Sequence, residues 1–96
     1  MNIVKLDRRH TGSIYFKYRL ELRGPAGFKN FLTYRHWAWD TFGPSCELSH
    51  YLQLAVNSEL DETSLSHRWA WNIIPIERFI YLKSSEDLLL FQLKWT

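Results

Sequence analysis

Hydrophobic and polar positions alternate strictly from Ile14 to Arg23, with Ile14, Phe16, Tyr18, Leu20 and Leu22 set against Tyr15, Lys17, Arg19, Glu21 and Arg23. A period of two in β-favouring residues predicts a half-buried strand with one wet face. Gly24-Pro25-Ala26-Gly27 breaks the pattern as a turn, and the aromatic and β-branched stretch Phe28–Asp40 is expected to return as the antiparallel partner, completing a hairpin. After Gly43-Pro44-Ser45, the stripe Leu48, Leu52, Ala55 and Glu59, with Tyr51 beside it, favours a helix over 46–57. Alternation of Leu52, Leu54 and Val56 leaves a strand there as the alternative. Ser45 is the expected N-cap, with Glu47 in the first turn where the helix dipole favours an anion.

Ser58–Ser66 is polar and acidic, hence a loop. Trp69–Ile74 reads as a strand, Pro75 breaks it because it cannot donate to a ladder, and Arg78–Leu82 is its partner. Ser84 and Asp87 stand at capping-box spacing before Leu88–Trp95, a helix apolar nearly all round and so expected to be well covered. The element order is ββαββα, with Ile3–Leu6 as a further edge strand. The fold class is α+β: an antiparallel sheet of four or five strands with two helices on one face. All 96 residues are read as one domain.

Composition adds one fact to this pattern. Five Trp, five Tyr and six Phe make aromatics 17% of the chain, which excludes a disordered tail and supplies a dense core. Four of the five Trp fall in two matched units, His36-Trp37-Ala38-Trp39-Asp40 and Arg68-Trp69-Ala70-Trp71-Asn72. On strands, each unit would present two indoles to one face and its alanine to the other. Neighbouring strands would then build a four-indole wall. Its first reading is core; exposed, it would be a stacking platform for bases or an anchor for a protein partner.

Charge is small in sum, +2, but segregated: +6 over residues 1–39, −5 over 40–64 and +1 over 65–96. That asymmetry marks Lys17, Arg19 and Arg23 on the first strand, and Glu59, Asp61 and Glu62 in the acidic loop, as candidate contact surfaces. His36, Asp40, Arg68 and Asn72 form a further polar cluster, with a hydrolytic site as one reading and a solvated face as the other. On a strand His36 and Asp40 would stand roughly 13 Å apart, too far to pair directly. Cys46 could meet His10, His36, His50 or His67, and a helix first turn would lower its pKa. Cys46-x3-His50 has no second closely spaced pair, so no metal site is expected. Phosphate-cradling glycine loops are missing from the sequence, and neither a cofactor nor a catalytic residue is assigned. One cysteine, no signal-like apolar run and no membrane-length segment lead to the expectation of a cytoplasmic protein that does not enter a membrane.

The stretch Arg35-His36-Trp37-Ala38-Trp39-Asp40-Thr41-Phe42-Gly43-Pro44-Ser45, the later Trp69-Ala70-Trp71-Asn72 and the closing Ile80-Tyr81-Leu82-Lys83-Ser84…Leu93-Lys94-Trp95 resemble small uncharacterised proteins of tailed bacteriophages. The resemblance implies context only: compact phage proteins lacking catalytic motifs often bind and inhibit a host enzyme or defence complex. The combined expectation is a non-enzymatic protein-interaction module acting on a host protein or complex, with a homodimer through an open strand edge as a further possibility. The alternative is single-stranded nucleic-acid binding through the basic and aromatic residues.

Overall fold

A computed structural model describes the chain at residues 2–59, 67–75 and 77–95. The elements are β1 (Asn2–Lys5), β2 (Tyr18–Arg23), α1 (Gly24–Phe42), α2 (Leu48–Val56), β3 (Trp69–Ile74), β4 (Glu77–Leu82) and α3 (Ser85–Trp95). The four strands form one antiparallel sheet in the order β1-β2-β4-β3. The α+β class and antiparallel sheet expected from the pattern are therefore present. Of the loop expected over Ser58–Ser66, only Ser58 and Glu59 lie within the described residues. No helix among the described residues is long and apolar enough to cross a membrane.

Alternation sorts the two sheet faces. Leu20, Leu22, Trp69, Ile80 and Leu82 lie under α1 and α3, packed with Phe31, Ala38, Phe42 and Phe91. On the opposite face Ala70, Phe79 and Tyr81 meet Leu6, Phe16, Leu48 and Tyr51 from the 6–17 segment and α2. The two helices expected to share one face, α2 and α3, therefore lie on opposite faces: α3 is joined by α1, where a strand was expected, and α2 covers the other side. Alternation holds only from Tyr18 onward. Ile14 lies in a turn, almost fully exposed, while Phe16 is fully buried on the second face.

The largest difference lies at 24–42, where the expected turn and returning strand are one 19-residue helix. Phe31, Tyr34, Ala38 and Phe42 recur at helical spacing, and Pro25 sits at the first helical turn, where its missing N–H costs nothing. Thr33 and Thr41 are the segment's only β-branched residues, too few to favour a strand. The chain passes from β2 into α1 with Arg23 as the capping position and no intervening loop. Gly27 permits the tight contact that follows: a Cβ there would stand 2.8 Å from the Leu22 backbone carbonyl carbon. At the other end Gly43, at φ +98°, closes the helix by donating its N–H to the Trp39 carbonyl at 3.0 Å.

Two capping expectations resolve differently. Ser84 Oγ accepts the Asp87 N–H at 3.1 Å, half of the expected capping box; the Asp87 carboxylate turns instead to Arg68. Ser45 does not cap α2. Its hydroxyl is spent on the Trp69 carbonyl, and the capping position falls to Glu47.

Candidate functional site

A helix turns 100° per residue, so Trp37 and Trp39 leave α1 on opposite flanks with Ala38 pointing down onto the sheet. The expected four-indole wall is thereby divided. Trp37 joins α3, its ring 5.6 Å from Phe91 and 6.1 Å from Trp95. Trp39 goes the other way, to 6.5 Å from Trp71, which lies 5.3 Å from Trp69. Trp69 is fully buried and donates its indole N–H to the Gly43 carbonyl at 2.7 Å. Three indoles therefore run from core to surface, ending at Trp39, which is 45% exposed.

Beside this series lies a groove of about 610 Å³ lined by Leu32, Arg35, His36, Trp39, Asp40 and Trp71. Its floor is apolar and rigid, because Trp71 is held by the sheet ladder and Trp69 behind it. Leu32 is 60% exposed along its rim. The Arg35 guanidinium stacks 5.3 Å from the Trp71 ring centroid and makes no ion pair among the described residues. A planar cation held by an aromatic face keeps its outward donors available for a carboxylate. His36 and Asp40, one helical turn apart, pair at 3.2 Å, which corrects the 13 Å separation expected on a strand.

β3 is an edge strand, and its open side flanks the same groove. Trp71 N–H donates outward to the Cys46 carbonyl at 3.4 Å, so residues 45–47 cover the first half of this edge. Ladder alternation turns the backbone of Ile73 outward as well, beyond that cover, and its side chain is 40% exposed.

The other residues singled out from sequence lie elsewhere. Arg19 and Arg23 both reach the buried Glu21 carboxylate, at 2.7 and 3.5 Å, and Arg23 also reaches Glu77 at 3.3 Å. Lys17 is exposed on the approach to β2, and Glu59 is exposed beyond α2. Asp61 and Glu62 lie outside the described residues. The polar cluster is divided: Arg68 grips Asp87 at 2.5 and 3.1 Å, and Asn72 sits on the opposite sheet face, hydrogen-bonded to Tyr81. Only His36 and Asp40 of that set remain together. Burial, with the adjacent Glu47 carboxylate, pushes the Cys46 thiol up, against the lowering expected of a helix first turn. No group of three or more metal-ligating side chains occurs among the described residues.

Glu21 ties this charge arrangement to stability. Burial opposes its ionisation, but hydrogen bonds from Asn2 and Arg19 and the charges of Arg19 and Arg23 outweigh that and hold its pKa below the ordinary value. A carboxylate with a depressed folded-state pKa stabilises fully above its unfolded value, about 4.3, and loses that contribution as pH falls below it. Urea melts of wild type and Glu21→Gln are expected to differ by about 2 kcal/mol at neutral pH and to converge as the pH falls through the lowered folded-state value. Asp7, held at about 2 by Arg9, is common to both proteins and cancels in the difference.

Sequence reading missed Leu32, Arg35 and Trp39 as one surface because it placed them on a strand. Their spacing of three and four residues was the available signal. The chain matches no protein-family model, no curated protein and no solved structure.

Proposed function

We propose that this chain is a non-enzymatic protein-interaction module whose contact surface is the groove between α1 and β3. Its partner presents an apolar side chain next to a carboxylate. The observation that carries the reading is the pairing of a half-exposed Trp39 with an Arg35 that is stacked on Trp71 and without an ion partner among the described residues. Trp and Arg dominate the energetics of protein interfaces, and a rigid aromatic floor loses little entropy on binding. The resemblance to small tailed-phage proteins supports a host enzyme or defence complex as the partner, bound and inhibited.

Charge favours protein over nucleic acid. A nucleic-acid surface gathers unpaired cations along one face. Here Arg19, Arg23 and Arg68 are committed to Glu21, Glu77 and Asp87, and the groove balances Arg35 against Asp40. Selection from a displayed random-peptide library tests the reading. Enriched sequences are expected to place Asp or Glu beside a bulky apolar residue and to lose binding to Trp39→Ala. Enrichment indifferent to Trp39, or enrichment displaced by an oligonucleotide, would sink it.

A further inference from the structure

The outer face of α3 is uncovered where the sequence demands cover. Asp87, Leu88, Phe91 and Trp95 turn inward, and Leu89, Leu90 and Leu93 turn outward at 56, 45 and 72% exposure. A helix apolar on both sides is stable in water only when both sides are packed. Among the described residues α3 is packed on one side alone, against the sheet and Tyr34 and Trp37 of α1. That contact is on the flank of α1 opposite Trp39, so the uncovered leucines are separate from the groove.

We infer that a second copy of this chain covers this face, with two α3 helices packed antiparallel about a two-fold axis at Leu90. The charges bounding the leucines select this occupant. Glu86 precedes them and Lys94 follows them, both exposed and neither ion-paired among the described residues. The two stand at equal distances, four residues, on either side of Leu90. An antiparallel two-fold at Leu90 therefore brings Glu86 level with Lys94 of the partner subunit at both ends of the contact, with the leucines between. A parallel pair would set like charges side by side. A C2 contact of this kind is self-complementary and closes at the dimer. Eleven residues of helix present a small surface, below the roughly 800 Å² per partner of a stable interface, so the dimer is a weak one that forms with concentration.

Sedimentation equilibrium on the full chain, in a series reaching millimolar, is the test. Wild type is expected to move from 11.6 kDa towards twice that mass. Leu89→Glu with Leu93→Glu is expected to stay monomeric, with an unchanged near-ultraviolet spectrum showing that the fold is kept. Glu86→Lys alone and Lys94→Glu alone are each expected to weaken association about five-fold, and the two combined to restore it. The combined variant carries both charges against the helix dipole, so recovery cannot come from a better helix. Three outcomes would overturn the inference: a monomer throughout, a dimer insensitive to the leucine changes, or a charge swap no better than its single components.

Discussion

Replacing Trp69 by alanine is expected to abolish cooperative folding. Trp69 is fully buried at the centre of the face under α1, against Trp71, and its indole N–H closes on the Gly43 carbonyl at the end of α1. Removing so large a buried side chain costs about 3–5 kcal/mol, and the lost hydrogen bond leaves a carbonyl unpaired at about a further 1 kcal/mol. A chain of this length has about 5–14 kcal/mol in total, and a domain this small sits towards the lower end, where such a loss takes most of the stability. Urea denaturation followed by far-ultraviolet circular dichroism is the measurement. Wild type should give one sigmoidal transition and Trp69→Ala a shallow slope without a native baseline. Trp69→Phe keeps a smaller aromatic ring but not the donor and should fall between them. A variant within about 1 kcal/mol of wild type would contradict the placement of Trp69 in the core.

Peptides selected on the groove are expected to bind Trp39→Ala and Arg35→Glu at least about 30-fold more weakly than wild type, the scale of an interface hot spot. The two losses have different causes. Trp39→Ala removes the exposed end of the indole series, while Arg35→Glu opposes a carboxylate with a carboxylate and forfeits the stacking on Trp71. Neither side chain is fully buried, so both variants should melt close to wild type. Lys17→Glu, far along the chain on the approach to β2, should bind as wild type does. Titration calorimetry distinguishes these cases. Equal loss in Lys17→Glu would relocate the contact surface to the basic strand, and a steep fall of affinity with salt would point to phosphate contacts instead.

Much of this fold is legible in the sequence, and the exceptions share a cause. β3 and β4 follow from the two apolar runs that Pro75 separates, α2 from its apolar stripe, and the start of α3 from the Ser84–Asp87 spacing. The same tripeptide, Trp-Ala-Trp, is strand at 69–71 and helix at 37–39. Three residues cannot distinguish a period of 2.0 from one of 3.6; the wider window Phe31, Tyr34, Ala38, Phe42 does. Misplacing that segment hid the groove, since Leu32, Arg35 and Trp39 share a flank only on a helix. The basic strand face was readable as a row of charges. That Glu21, on the same face, would draw in Arg19 and Arg23 depends on β1 and β4 closing over both sides of β2, which the alternation of one strand does not reveal. α3 is the opposite case. Its leucines announce a need for cover, and the described residues of the single chain leave that need unmet.

The claim on which the functional reading rests is that the α1–β3 groove is where another protein docks. The direct measurement is site-specific photo-crosslinking in bacterial lysate, with the crosslinker at position 32 on the groove rim and, separately, at position 5 at the far edge of the sheet. The expected result is a discrete adduct from position 32 that disappears when Trp39→Ala is placed in the same chain and never forms from position 5. An adduct that survives Trp39→Ala, or the same adducts from both positions, would contradict it.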